Sequence, residues 1–278
     1  MRSRADRPAI DRAAVVGESV SRSLSPAIFA RLGTIEQRPI EYGAIDVQAA
    51  TFVERIRGLQ SDRFVGVNVT IPHKAAAAAL AGERSHDVEA LDAANVLHFQ
   101  NGTIVAHNTD VGGFTASLRD ANVSFQTRDM AVVYGAGGAA AAVILACARS
   151  GARRIAIVNR TVARAERLAA SVQGAIGNTK LVPAADDAFE DVAVYVNATP
   201  IGDPFRHPRS ASAAAIDLTY RPRITPFMEA AKAHGLRATN GLSMLVDQAI
   251  ATYEIWFGPI AHRDAVLREI TTDLEAIA

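Results

Sequence analysis

Hydrophobic and polar positions along this chain switch between a period of two and a period near 3.6, and the switching predicts alternating strands and helices. Short apolar runs predict strands at 15–16, 40–45 and 64–69, with helices starting near Ser25-Pro26 and over 49–59. A further helix is predicted to begin at Pro72, since a proline suits the first helical turn, whose N–H groups lack intrahelical partners. The runs 95–100 and 103–107 flank Asn101-Gly102. That dipeptide suits a two-residue type I′ turn and predicts a hairpin. A helix follows from Asp110 towards Asp120. Beyond Asn122 the rhythm is regular, with strands at 131–134, 155–158, 192–196 and 215–218 and helices at 138–149, 162–171 and 226–234. Such β–α alternation predicts a parallel, doubly wound sheet. Two amphipathic stretches, 244–257 and 263–277, have no strand of their own to cover and are expected to pack back on the first domain. The fold class is therefore α/β with two domains, divided into 1–112, 113–242 and the C-terminal helices 243–278.

Composition narrows the classes. The chain has 278 residues, 49% of them hydrophobic and 21% charged, which describes a folded protein with a sizeable core. Formal net charge is zero, so nothing in the bulk electrostatics calls for nucleic acid or an anionic membrane. No run of about 18 apolar residues suggests a membrane span. The single cysteine, Cys147, cannot form an intrachain disulfide, and a reducing, cytoplasmic compartment is expected. Residues 1–12 are charged and poorly patterned and read as a mobile tail. The seven histidines show no metal-ligand spacing, so no metal is expected.

Chemistry enters with the glycines. Gly135, Ala136, Gly137, Gly138, Ala139 and Ala140 follow a predicted strand and open a predicted helix, the context in which G-x-G-x-x-(G/A) points to a dinucleotide. Gly135 permits the tight turn, Gly137 lets backbone approach a pyrophosphate, and the helix N-terminus offers free N–H groups. NAD-binding sheets usually carry an acidic residue at the end of the next strand. This chain has Asn159, Arg160 and Thr161 there, with Arg164 a turn later. A carboxylate would repel a 2′-phosphate and an arginine fork attracts it, so NADP is the expected cofactor.

A second polar cluster is expected where open α/β sheets place ligands, at a strand's carboxyl end: Asn68, Thr70 and Lys74. Asn108-Thr109-Asp110 forms another. Ser23 and Ser25 lie in a polar loop; Ser25 before Pro26 is by itself more commonly a helix N-cap, and two hydroxyls spaced i, i+2 could also grip a carboxylate. Asn95 precedes the hairpin, Tyr220 follows a strand and Gln248 lies in a helix.

Together these segments resemble the shikimate dehydrogenase family. The matching motifs are S-L-S-P (23–26), N-V-T-I-P-H-K (68–74), A-N (94–95), N-T-D-V-G-G-F (108–114), G-A-G-G-A-A (135–140), N-R-T-V-A-R (159–164), N-A-T-P-I-G (197–202), D-L-T-Y-R-P (217–222) and G-L-S-M-L-V-D-Q-A (241–249). The resemblance implies an N-terminal substrate domain, an NADP-binding Rossmann domain and C-terminal helices returning to the first. It implies Lys74 and Asp110 as the catalytic pair, and Ser23 and Ser25 on a substrate carboxylate. Asn68, Thr70, Asn95, Tyr220 and Gln248 would surround the rest of a cyclic polyhydroxy acid. Beyond the glycine loop and the arginine segment, Thr199, Leu218, Gly241 and Met244 would lie near the nicotinamide. The implied reaction is the reversible reduction of 3-dehydroshikimate by NADPH in aromatic amino-acid biosynthesis, by a monomer or homodimer. A quinate or amino-shikimate paralogue, or a non-catalytic NADPH or metabolite sensor, would share the fold. Arg22 and Phe29 stand where the family usually has His, and Asp92 and Val96 where it usually has Gly and Thr.

Overall fold

The computed structural model describes residues 10–210 and 212–276. They group into two compact units, one of 10–108 with 249–266 and the other of 109–248 with 267–276.

The first unit is built on a six-stranded sheet. In chain order its elements are β1 (Asp11–Gly17), α1 (Ser25–Ile35), β2 (Ile40–Asp46), α2 (Phe52–Ser61), β3 (Gly66–Val69), α3 (Lys74–Leu80), β4 (Glu83–Arg84), α4 (His86–Leu91), β5 (Val96–Gln100) and β6 (Thr103–His107). The strands lie in the order β2-β1-β3-β5-β6-β4. β1 runs parallel to both β2 and β3, and β5 is antiparallel to β3 and to β6. Alternation decides which side is core: Val67, Val69, Leu97, Ile104 and Ala106 pack with Phe52, Ile56, Leu59 and Ala77 of the helices. The hairpin forms as expected, with Gln100 opposite Thr103 and positive φ at both Asn101 (49°) and Gly102 (80°).

The second unit holds α5 (Asp110–Asp120), β7 (Met130–Tyr134), α6 (Gly138–Arg149), β8 (Arg154–Val158), α7 (Val162–Val172), β9 (Lys180–Ala184), β10 (Val192–Asn197), β11 (Ala214–Asp217), α8 (Pro226–Ala233) and β12 (Arg237–Thr239). Its sheet order is β12-β11-β10-β7-β8-β9 and every pairing is parallel. The chain lays β7 at the centre, builds β8 and β9 on one side, then crosses to β10 on the other. That is the doubly wound order, with its switch point between β7 and β10. β7, β10 and β11 are buried along their whole length, as strands covered on both faces must be.

Two helices, α9 (Leu242–Phe257) and α10 (Arg263–Glu275), each divide between the units at 248/249 and 266/267. The units therefore differ from the division expected at 112/113 and 242/243: residues 109–112, 243–248 and 267–276 group with the second unit. Expectations for single elements need correcting. The helix expected at Pro72 starts at Lys74, because Pro72 belongs to the turn that precedes it. The mobile tail expected over 1–12 does not extend to Asp11 and Arg12, which belong to β1, where Asp11 pairs with Arg38 at 2.8 Å and Arg12 lies over the Phe64 ring. Residues 1–9 lie outside the described residues. The elements β4, α4 and β12 went unpredicted because they are short and mostly polar, and β9 because it carries Pro183, which only an edge strand tolerates.

Candidate active site

In the second unit the glycine loop joins β7 to α6 at the switch point. Gly135 has φ of 107°, which L side chains rarely adopt, and a Cβ there would meet Thr199 Cγ2 at 2.8 Å and the Ala198 carbonyl at 2.9 Å. The loops after β7 and β10 thus touch through this residue. Gly137 and Gly138 differ: a Cβ on either would meet nothing within 4 Å. Open space lies where a pyrophosphate would approach backbone N–H groups at the start of α6. Ala140 is fully buried, which allows the close helix–strand packing expected. Ala136 is half-buried and Ala139 borders the same turn.

At the end of the neighbouring strand β8, the Asn159 side chain donates to the Thr161 carbonyl at 2.8 Å and folds the 159–161 turn. Arg160 and Arg164 are exposed, and neither forms an ion pair among the described residues. Both sit at the positive end of α7, where a cation opposes the helix dipole. Helix stability would favour an acidic residue at these places. The arginines fit an anionic phosphate better than they fit the helix.

Leu218, Gly241 and Thr199 are organised by two buried residues the sequence reading passed over. Asn197 accepts from the Thr199 N–H at 3.1 Å and its hydroxyl at 2.7 Å, and donates to Asp217 Oδ1 at 3.2 Å. Asp217 accepts from the Thr219 N–H. Burial pushes the Asp217 carboxyl above its ordinary pKa, against hydrogen bonds from Thr225, Thr219 and Asn197. Leu218 N–H donates to the Asn197 carbonyl, and a Cβ on Gly241 would lie 2.4 Å from the Leu218 carbonyl. Only glycine fits there. Met244 and Gln248 pack on α5, since a Cβ at Gly113 would meet the Met244 carbonyl at 3.0 Å and Gln248 Cβ at 3.2 Å. Gln248 also accepts from the Thr109 hydroxyl at 3.4 Å. Asp110 is buried in the first turn of α5, an end where a carboxylate is favoured, and Tyr220 is half-buried beyond β11.

In the first unit the backbone gathers three motifs. Val69 N–H donates to the Asn95 carbonyl at 2.8 Å, and Ala94 N–H donates to the Lys74 carbonyl at 2.9 Å. Asn95 N–H donates to the His107 carbonyl. Asn68, Asn95 and the turn carrying Lys74 therefore share one strand end, with Thr70 bonded through its N–H to Val16 of β1. Lys74 is half-buried in the first turn of α3, again the wrong end for a cation on helix grounds alone. His73 beside it is buried, 2.7 Å from the Val47 carbonyl and stacked on Phe52.

Ser25 is not a helix cap. It is the first residue of α1, its hydroxyl makes no capping bond, and its N–H donates to Ser23 Oγ at 3.2 Å. Ser23 Oγ and Ser25 Oγ are 3.1 Å apart. Asn68 accepts from the Tyr42 hydroxyl at 2.8 Å and donates to Thr252 Oγ1 at 3.1 Å. Phe29 is fully buried and stacks on Tyr42 at 4.1 Å. Tyr42 and Thr252 also escaped the sequence reading, one being a strand residue and the other a buried helix residue four positions after Gln248.

One group of potential metal donors occurs among the described residues: Asp186, Asp187 and His207. Asp187 is fully buried, and its oxygens accept from Tyr134 OH at 2.6 Å and from the Arg206 and His207 N–H groups. This carboxylate staples the 203–207 loop to β7.

Comparison with known proteins places these motifs in context. Residues 15–97 match the model of the shikimate dehydrogenase substrate binding domain, and 118–217 match that of shikimate / quinate 5-dehydrogenase. The chain is 39% identical to the NADP(+) shikimate dehydrogenase of Mesorhizobium japonicum, covering 97% of this chain and 96% of that one. It is 38% identical to that of Methylobacterium radiotolerans, over 96% and 98%. Among solved structures it resembles shikimate 5-dehydrogenase of Thermus thermophilus in complex with NADP(H) and shikimate, with TM-score 0.83, 31% identity and coverage of 95% and 99%.

Proposed function

The chain belongs to the shikimate dehydrogenase family, and from that membership we propose that it catalyses the reversible, NADPH-dependent reduction of 3-dehydroshikimate to shikimate. The observation that carries the cofactor half is the glycine turn at the switch point, open at Gly137 and Gly138, beside two exposed arginines at the end of β8. NADPH supplies the hydride when bound; the protein's residues hold it and manage the proton. Gly135 to Ala139 receive the pyrophosphate at the start of α6, and Arg160 and Arg164 take the 2′-phosphate. Thr199, Leu218, Gly241 and Met244 border the nicotinamide end.

The substrate half rests on Ser23 and Ser25 for the carboxylate and on Asn68, Thr70, Asn95, Tyr220 and Gln248 for the ring. Lys74 and Asp110 form the catalytic pair. Lys74 donates the proton to the developing alkoxide and its charge stabilises that oxygen. The acid substrate carries the charge that two hydroxyl donors can satisfy, and the ring hydroxyls match amide and hydroxyl partners. No helix of the described residues is long and apolar enough to cross a membrane.

The test is kcat/KM for shikimate and quinate, each with NADP and NAD. Shikimate with NADP is expected to be highest of the four. Higher values with quinate or with NAD would redirect the assignment, and no turnover in any arm would overturn it.

A further inference from the structure

Five side chains of the first unit, Ser23, Ser25, Tyr42, Asn68 and Thr252, form one chain of hydrogen bonds with a single direction. It starts at a fixed point. The Asn95 carbonyl can only accept, and it lies 3.4 Å from Asn68 Nδ2, with Thr252 Oγ1 at 3.1 Å from the same nitrogen. The Asn68 amide nitrogen must therefore face Asn95 and Thr252, and its oxygen must face Tyr42, at 2.8 Å. An amide oxygen only accepts, so Tyr42 spends its one proton on Asn68. Burial pushes the Tyr42 phenol well above its ordinary pKa, so that proton stays on.

Ser25 is the other hydrogen-bond partner of the Tyr42 hydroxyl. With the phenol's proton committed, Ser25 must donate to it. Ser23, 3.1 Å from Ser25 Oγ, then donates to Ser25. The order runs one way: Ser23 to Ser25 to Tyr42 to Asn68 to Thr252. Ser23 Oγ also accepts from the Ser25 N–H, which fixes the oxygen while leaving its proton free to swing. Turning the Ser23 proton outward gives up only its bond to Ser25, whose hydroxyl stays anchored by donating to Tyr42, whereas turning the Ser25 proton outward strips the phenol oxygen of that donor.

Building on the functional reading above, we infer that Tyr42 is a positioning residue for the carboxylate subsite: it locks the Asn68 amide and draws the Ser25 proton inward, making Ser23 the principal hydroxyl donor to the substrate. The two serines of S-L-S-P are then unequal partners despite their matching chemistry. Phe29, stacked on the Tyr42 ring at 4.1 Å, holds the phenol in line.

The experiment is steady-state kinetics on the full chain with shikimate and NADP for wild type, Tyr42→Phe, Ser23→Ala, Ser25→Ala and each serine variant combined with Tyr42→Phe. Tyr42→Phe keeps the ring on Phe29 and removes only the hydroxyl. Its shikimate KM is expected to rise about 3- to 10-fold, the worth of one lost hydrogen bond, with kcat moving less and NADP KM unmoved. Ser23→Ala is expected to raise shikimate KM more than Ser25→Ala, and the inequality to narrow in the Tyr42→Phe background, where the Ser25 proton is released. An unchanged shikimate KM in Tyr42→Phe, an equal shift in NADP KM, or a Ser25→Ala penalty at least as large as that of Ser23→Ala would each overturn the inference. Should Tyr42→Phe not fold, the serine inequality in the native chain decides. A second arm needs no substrate: the Asn68 side-chain amide protons, identified by their loss in Asn68→Ala, are expected to exchange slowly in wild type and faster in Tyr42→Phe. Equal exchange rates count against Tyr42. If wild type turns over no shikimate, the functional reading fails and the amide arm alone settles the role of Tyr42.

Discussion

The two units present their chemistry in different materials. In the second, the candidate cofactor site is mostly backbone: a φ of 107° at Gly135, empty space beside Gly137 and Gly138, and a carbonyl that leaves room only for glycine at 241. In the first, the candidate substrate site is mostly side chain: Ser23, Ser25, Tyr42, Asn68 and Thr252, drawn from one loop, the start of α1, two strands and a helix far along the chain. A backbone site needs glycines at fixed spacing and leaves a readable motif. A side-chain site needs only that distant residues meet. The difference explains both what each site tolerates and how visible each is before folding.

The contrast can be broken at several points, the strongest first. Lys74→Ala removes the one cation assigned to the reacting oxygen, and kcat is expected to fall about 10²- to 10⁴-fold, the usual worth of a positioned acid–base group. Shikimate KM should change far less. A variant keeping most of the wild-type kcat in a stopped-flow or steady-state assay would remove Lys74 from the chemistry.

Arg160→Asp comes next, since under the proposed function it replaces an attraction for the 2′-phosphate with a repulsion. Discrimination for NADP over NAD is expected to fall by about 2–4 kcal/mol, combining a charged hydrogen bond with the like-charge penalty. The ratio of kcat/KM for the two cofactors measures it, and an unchanged ratio would leave the arginine a solvated surface residue.

The smallest effect concerns stability in the first unit. His98 and His107 lie on adjacent strands, with residues 96 and 107 opposite one another. Burial lowers the pKa of both, and each cation would repel the other. The unfolded chain, with histidines near their ordinary pKa of about 6.5, therefore binds more protons than the fold as pH drops through that value. Stability is present above it and is lost as pH falls below it. Urea midpoints measured between pH 7.5 and 5 should decline, and His98→Gln with His107→Gln should flatten the slope. An identical slope in that double variant would place the acid sensitivity elsewhere.

Legibility followed the same division. The doubly wound sheet was readable because its strands alternate with helices and its central strands are apolar throughout, and the Asn101-Gly102 hairpin because its turn demands positive φ twice. The glycine turn at 135 was readable because its residue must take positive φ. Short polar elements such as β4 and β12 were not, having too few residues to show a period. Helix α3 was misplaced by two residues because a proline that could open a helix sits instead in the turn before it. Tyr42 was invisible because a tyrosine in a strand looks like packing, and Thr252 because a threonine in an apolar helix looks like filler. Asn197 and Asp217 lie inside quoted motifs, yet their buried mutual bond could be seen only once β10 and β11 were adjacent.

The central claim is that the two sets of residues do separable work, one on the acid and one on the cofactor. A crossed measurement tests it most directly: shikimate KM and NADP KM in Ser23→Ala with Ser25→Ala, and in Arg160→Asp. Each lost hydrogen bond to a charged group is worth about 1.5–3 kcal/mol, so the serine pair is expected to raise shikimate KM at least tenfold and leave NADP KM alone. Arg160→Asp is expected to do the reverse. Both constants moving together in both variants would contradict the account.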